Sequence, residues 1–388
     1  MGAADFGRDD IGSYPVAIAH DYLTQRGGAE KVVLAISRAF PEAPIYTLLY
    51  EPEGTYPEFA DRDIRVSPLN RVGPLRRHHR AALPVLPFAA QAMTVDADLV
   101  ITSSSGWAHG FRTTGEKLVY CYSPARWLYA SDMYLGEGAG VMKRAVLAAL
   151  GPYLKRWDKR AALSCQRYVA ISSVTQTRIR DAYGIDAPVL PAPVAMTGAE
   201  RATTIDDVTD WLARSGAQRP DGAFYLCVSR LLPYKNVDQV VRAFADLDRR
   251  LIVVGRGPEA ERIRALAPAN VLMLEGLSDS EMVWLYQNCR AVVAASYEDY
   301  GLTPIEAGVW GRPSIVLRWG GFVDTVIDGG TGVFFDRPEA SEIARAVRLL
   351  ESSRFDEGEI RGAMERFSEA RFIDGLRSEI QATIGVAA

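Results

Sequence analysis

Residues 298–311 read EDYGLTPIEAGVWG and follow the apolar run AVVAAS. Two carboxylates, Glu298 and Glu306, bracket a turn and the opening of a helix, where the positive helix end ordinarily favours an anion. Thr303-Pro304-Ile305-Glu306 also fits a capping box, with Thr303 as N-cap, so Glu306 has a purely structural use in bonding the Thr303 N–H. Two other positions carry the opposite charge. In VSRLLPYKN, Arg230 ends a strand and Lys235 lies in the loop before a helix. A guanidinium and an ammonium beside an open helix end suit a diphosphate. A carboxylate suits a vicinal diol, from which it accepts two hydrogen bonds. A diphosphate flanked by diols is a nucleotide sugar.

The elements that must position these residues alternate short apolar runs with amphipathic segments, the pattern of parallel α/β units. In the first half, PVAIAHD, PIYTLLY, DLVITS, KLVYCY and RYVAIS read as strands; in the second, FYLCVSR, RLIVVG, NVLMLE, AVVAAS, PSIVLR and GVFF do. DAPVLPAPVAMTG, residues 186–198, carries three prolines and reads as a stiff hinge between halves. The expected division is a domain over 1–190, a linker over 191–221, a second domain over 222–370, and a segment over 371–388 that crosses back to the first. Two doubly wound domains bind ligands outside the carboxyl ends of their strands.

Composition narrows the class. The 388 residues are 48% hydrophobic and carry a net charge of −4, ample for packed cores and without a field that would recruit nucleic acid. The four cysteines form no CxxC and lie in apolar stretches, which reads as a reduced, cytosolic chain. No apolar run is long enough to span a bilayer, and MGAADFGRDDIGSYP lacks the basic start of a signal peptide. RVGPLRRHHR (71–80) and LKRWDKR (154–160) are basic; they read either as solvated helix faces or as a surface for anionic lipid headgroups. Three Asp-x-Asp triplets (Asp61–Asp63, Asp96–Asp98, Asp246–Asp248) share no context and read as solvated charges, not a metal site.

Arg-x4-Lys after a strand, Glu-x7-Glu as EDYGLTPIEA, then GG and DGGTGVFF, together with HDYLTQRGGAEKVV near the start, resemble the retaining GT-B glycosyltransferases of family 4. DADLVITSSSGWAHGF and YCYSPARWLY are similar to a subgroup of mannosyl- and rhamnosyltransferases of bacterial polysaccharide assembly. The resemblance implies two facing Rossmann-like domains with an interdomain cleft that closes on a nucleotide-sugar donor. It implies transfer of a hexose or deoxyhexose, with mannose favoured, to a glycan or lipid-linked acceptor, with no cofactor and no metal, in the cytoplasm or at the inner face of a membrane. Arg230 and Lys235 would neutralise the diphosphate, Glu306 would hold the ribose and Glu298 the transferred sugar. Backbone amides of Tyr300, Gly301 and Leu302 would line the pocket, and Gly276 and Leu277 would lie near the base. Gly27 and Gly28 would let the first-domain backbone approach the phosphates. Where the family usually carries a histidine near the donor sugar, this chain has Tyr122. His109, in the loop SSSGWAHGF, is a candidate for that role or a loop histidine bonded to a local carbonyl, and Tyr122 and Arg126 are candidate acceptor contacts. Two rival readings remain: a non-catalytic binding protein on this scaffold, and a dinucleotide enzyme using Gly255 and Gly257 of GRGPEA with Glu275 on the ribose.

Overall fold

The structure is a computed structural model, and it describes residues 15–77, 85–129, 141–196, 198, 200–214 and 224–385. The far end of the basic run 71–80, most of the N-terminal tail and part of the expected linker fall outside the described residues. The chain divides into two units. One comprises 1–193 with 369–388, and the other spans Val194–Ser368.

In the first unit the strands are β1 (Val16–His20), β2 (Ile45–Thr47), β3 (Ile64–Val66), β4 (Leu99–Ser104), β5 (Glu116–Cys121) and β6 (Arg167–Ala170). They form one parallel sheet in the order β3-β2-β1-β4-β5-β6. β4 is buried along its whole length, as expected of a central parallel strand covered on both faces. A two-stranded ribbon, Thr94–Val95 with Arg112–Thr113, lies outside this sheet. Helix α1 (Gly28–Ala39) follows β1, α2 (Val141–Leu163) precedes β6, and α3 (Ser173–Tyr183) follows it. Ser172 caps α3 by accepting the Thr175 N–H at 3.3 Å, and Gly184 closes it in the left-handed region at φ 78°.

The second unit repeats the order. β7 (Phe224–Val228), β8 (Leu251–Val254), β9 (Val271–Leu274), β10 (Cys289–Ala294), β11 (Ser314–Leu317) and β12 (Gly332–Phe335) pair as β9-β8-β7-β10-β11-β12, all parallel. Helices α4 (Val237–Ala245), α5 (Ala260–Leu266), α6 (Asp279–Asn288) and α7 (Leu302–Val309) follow β7, β8, β9 and β10 in turn. Two apolar layers flank the sheet. One is built on Val240, Phe244, Val253, Val293 and Phe335, the other on Phe224, Ile252, Leu285 and Val292. The last helix, α8 (Glu369–Gly385), packs in the first unit, where Phe372 meets Tyr120 edge-on at 5.4 Å, Arg38 bonds Glu369 and Arg167 pairs with Glu379.

The thiols are interior: Cys121, Cys227 and Cys289 are buried and Cys165 half-buried, and no disulfide joins them. Burial pushes Cys165 up to about 11 and both Cys227 and Cys289 up to about 12. At neutral pH these three therefore favour the thiol over the nucleophilic thiolate.

The glycines of GRGPEA have a packing use. A Cβ on Gly255 would sit 1.8 Å from the Ser229 carbonyl oxygen, and one on Gly257 2.2 Å from that of Leu231. The Leu231 N–H donates to the Arg256 carbonyl at 2.8 Å, and its carbonyl accepts from Glu259 at 3.2 Å. The close approach is therefore between two loops of the protein, and it aims the chain that carries Arg230 and Lys235. Gly255→Ala is expected to cost about 1–3 kcal/mol as overpacking, read as a lowered thermal midpoint; an unchanged midpoint would contradict this packing role.

Candidate functional site

In both sheets the strand order reverses between the first and fourth strands. Loops leaving neighbouring strands there run to opposite faces, which opens a crevice at the carboxyl edge. In the second unit that point lies between β7 and β10, and the predicted charged residues leave these two strands.

The loop after β7 contains a single 3₁₀ turn, Pro233–Lys235, closed by Asn236 at φ 51° and ψ 31°. Asn is among the few non-glycine residues that tolerate this region. Its side-chain amide donates to the Ala295 carbonyl at 2.9 Å, tying this loop to the end of β10. Lys235, 7% exposed, is thereby set against Glu298, and its ammonium donates to Glu298 Oε1. Ser296 Oγ donates to the same oxygen at 3.1 Å. The ammonium also lies 5.1 Å from the Tyr234 ring centroid. Arg230 stands exposed at the edge of this loop, donating to the Tyr234 hydroxyl at 3.2 Å. A buried ammonium needs a counter-charge, and Glu298 supplies it.

The turn 299–301 is held from below by the glycine pair. Gly321 N–H donates to the Glu298 carbonyl at 2.9 Å, and a Cβ on Gly321 would lie 2.2 Å from Tyr300 Cα. Gly301, at φ 84°, starts α7 as its N-cap and has no side chain to cap that end. The backbone of Tyr300, Gly301 and Leu302 thus opens the helix. Gly276 takes φ 73° after β9, with Leu277 half-buried beside it.

The capping-box expectation is corrected here. The helix begins at Leu302, so Thr303 lies inside the first turn, and Glu306 bonds elsewhere. The Tyr286 hydroxyl of α6 donates to Glu306 Oε2 at 2.6 Å. Burial raises the Tyr286 phenol well above its ordinary value, so it stays protonated and remains a donor. Nothing in the local sequence announces this bond; only the packing of α6 on α7 does.

In the first unit the residues after β1 and β4 form an internal network. Asp21, 1% exposed, accepts the amides of Ser105 (2.5 Å), Trp107 (3.1 Å) and Ala108 (2.7 Å) and the Ser104 hydroxyl (3.2 Å). Lys117 supports the far side of this loop, donating to the His109 carbonyl at 2.9 Å and to that of Phe111 at 2.5 Å. His109 is itself 1% exposed. Its Nδ1 lies 3.3 Å from Ser104 Oγ and its Nε2 3.0 Å from Asp158 Oδ1, while Tyr183 donates to Asp158 Oδ2 at 2.8 Å. That enclosure leaves His109 no face for a substrate; it anchors the loop to α2 and α3. Tyr122 reaches the other way. Its hydroxyl lies 2.9 Å from Ser103 Oγ and donates to the Ala29 carbonyl at 3.2 Å, while His20 Nδ1 lies 2.9 Å from the same Ser103 Oγ.

Gly27 and Gly28 open α1, and the close approach at Gly27 is made by the protein. A Cβ there would lie 2.6 Å from Glu30 Oε2. Glu30, 1% exposed, folds back over its own helix end. Sequence reasoning missed it, although it follows directly in GGAEKVV, the arrangement in which an N3 acid returns to the cap.

Two family models match the chain: Glycosyltransferase Family 4 over residues 26–195 and Glycosyl transferases group 1 over residues 211–370. The chain belongs to glycosyltransferase family 4. Among its relatives, a GDP-mannose-dependent alpha-mannosyltransferase of Corynebacterium glutamicum is 27% identical over 60% of this chain and 55% of its own. A GDP-mannose-dependent alpha-(1-6)-phosphatidylinositol monomannoside mannosyltransferase of Mycolicibacterium smegmatis is 29% identical over 46% and 50%. The match spans about half the length of these relatives. The GT-B fold is shared with Anabaena HepE, solved with UDP, at a TM-score of 0.68 and 16% identity over 95% of this chain and all of that one. Sucrose-phosphate synthase from Thermosynechococcus elongatus gives a TM-score of 0.65 at 17% identity over 96% of this chain and all of that one. Among the described residues no cluster of His, Cys, Asp or Glu is arranged to hold a metal ion, and no helix is long and apolar enough to cross a membrane.

Burial pushes the Glu30 carboxyl up, against the lowering pull of His20 and of the amides at Glu30 and Gly27. Above 4.5, its ordinary value, the native state therefore holds a proton that the unfolded chain has released, and stability falls as pH rises through that window. Glu30→Gln cannot ionise. Its melting temperature is expected to gain on the parent's as pH is raised from about 4.5; a constant difference across the series would show that Glu30 does not titrate this way.

Proposed function

We propose that the chain is a retaining, metal-independent glycosyltransferase that moves mannose, or a related hexose or deoxyhexose, from a nucleoside-diphosphate sugar to a hydroxyl of a glycan or lipid-linked acceptor. The observation that carries this reading is the Lys235–Glu298 pair at the reversal point of the second sheet. It sets a cation for the diphosphate against a carboxylate for the sugar hydroxyls. Arg230 adds a second cation at the solvent edge, and Glu306, oriented by Tyr286, is a carboxylate suited to a ribose diol. Mannose is supported by the relatives named for GDP-mannose.

Lys235, Arg230 and the backbone amides at the start of α7 stabilise charge developing on the departing diphosphate. An acceptor hydroxyl then attacks the anomeric carbon from the face the diphosphate leaves; the C–O bond to phosphate breaks, the new glycosidic bond forms, and the leaving phosphate oxygen takes the hydroxyl proton. The configuration is retained. Glu298, relieved of Lys235, accepts hydrogen bonds from the sugar hydroxyls and fixes the anomeric centre.

The exposed face of α2 supports association with the inner face of an anionic membrane. Tyr153, Lys155, Arg156, Lys159, Arg160 and Leu163 are all exposed there, cations interleaved with apolar side chains. Co-sedimentation with anionic vesicles that weakens as salt rises is the expected result; binding indifferent to lipid charge would remove the membrane assignment.

The donor assignment is tested by thermal shift against GDP, UDP and dTDP, followed by assays of donor hydrolysis and transfer. Lys235→Ala is expected to lower kcat by about 10²–10³. Glu306→Ala is expected to weaken nucleotide-sugar binding on the order of tenfold or more, the loss of a charge-assisted hydrogen bond, with a smaller effect on kcat. Unchanged kinetics in both variants would dismiss the site, and binding without any transfer or hydrolysis would favour a non-catalytic binding protein.

A further inference from the structure

At the carboxyl edge of the first sheet a cavity of about 240 Å³ opens between the loop after β5 and helix α3, lined by Ser123, Arg126, Tyr129, Arg178 and Asp181. Arg178 and Asp181 stand three residues apart on α3 and share one face. Arg126 opens the short helix Arg126–Tyr129.

The walls of this cavity are fixed. Thr175 Oγ1 donates to the Tyr122 carbonyl at 3.0 Å, which binds α3 to the end of β5. Arg178 Nη1 donates to Ser123 Oγ at 3.3 Å. Trp127, beside Arg126, stacks on Trp107 with centroids 4.9 Å apart, so the short helix is held by a buried indole. Tyr129 packs edge-on against Tyr183 at 5.9 Å, and the Lys155 ammonium lies 5.5 Å from its ring centroid.

Two guanidinium groups line the cavity and an ammonium stands nearby, against one carboxylate, and planar forked donors match the oxygens of a phosphate. The volume suits a headgroup rather than an entire drug-sized ligand. Asp181 and Ser123 are suited to hydroxyls next to the anion.

We propose that this cavity is a subsite for a phosphate ester borne by the acceptor, with Arg126 and Arg178 holding the phosphate and Asp181 receiving hydroxyls of the attached sugar or polyol. The assignment rests on the glycosyltransferase reading, since it is that reaction's acceptor that would be held.

The test is a titration with inorganic phosphate, followed by phosphorus NMR line broadening, in the full chain carrying Arg230→Ala and Lys235→Ala so that the donor cations are absent. Phosphate is expected to bind this background. Adding Arg126→Gln or Arg178→Gln is expected to weaken binding about tenfold or more, the loss of a hydrogen bond to a charged group, while Arg178→Lys retains part of it. Thermal midpoints matched to the background confirm that the variants are folded. No binding in the background, or binding indifferent to both arginines, overturns the subsite. Displacement of phosphate by glycerol 1-phosphate marks a soluble phosphoester, displacement only by phosphatidate vesicles marks a lipid-borne one, and displacement by neither overturns the assignment. Nucleotide binding by the parent chain is read separately. If it is present while the cavity ignores phosphate, only the subsite falls; if it is absent while the cavity binds phosphate, the glycosyltransferase reading falls and the assignment to its acceptor with it, and what stands is a phosphate site.

Discussion

A parallel sheet covered by helices on both faces leaves one place for chemistry, the carboxyl edge, and a reversal of strand order leaves one gap along that edge that no connection crosses. Both sheets obey this constraint with the same order of six strands. In the second, β7 and β10 are hydrogen-bonded neighbours whose following loops part, so that Lys235 from one meets Glu298 from the other although 63 residues separate them in sequence. The other features of the candidate donor site depend on that meeting. Asn236 bends one loop toward it, the Gly320–Gly321 turn supports the other, and α7 begins where they converge.

The two units put the same edge to opposite uses. In the second, a buried ammonium is balanced by a carboxylate that is itself 23% exposed at its side chain. In the first, the equivalent gap is filled from within. Asp21 spends its oxygens on backbone amides, His109 and Asp158 pair in an aromatic enclosure, and Glu30 covers the start of α1. Asp21 is well satisfied by these amides, whereas His109 Nε2 and Asp158 Oδ1 face each other without a hydrogen bond of good geometry. Glu30 Oε2 has no hydrogen-bond partner, and burial there wins over the attraction of the helix end. The chemistry available to an incoming group in the first unit is displaced outward, to the arginine-lined cavity beyond β5.

The glycines show why a motif needs its surroundings. GRGPEA has the spacing of a dinucleotide loop, yet Gly255 and Gly257 are required by carbonyls of the neighbouring loop. Gly27 reads as room for a phosphate, yet the atom closest to its missing Cβ belongs to Glu30. In each case the residue type is explained by a close approach, and the spacing does not say which atoms approach.

The predicted strands were legible because each is a short apolar run whose burial is decided locally, by side-chain composition and by the turn residues beside it. Exceptions were the partly exposed β3 and the small ribbon, which lack that signature. The charge types at the strand ends were equally open to reading, and with them Arg230, Lys235, Glu298 and Glu306. Strand order was not, since parallel neighbours are joined by crossovers whose length does not say where the next strand lands. Nor was the partner of Glu306: the sequence offers it Thr303, three residues away, and the fold supplies Tyr286 from another helix. The amino-acid sequence by itself determined which segments are buried and which charges stand at their ends. The tertiary structure decided which of those charges meet and which are sealed inside, because pair distance and desolvation depend on contacts between residues far apart in the chain.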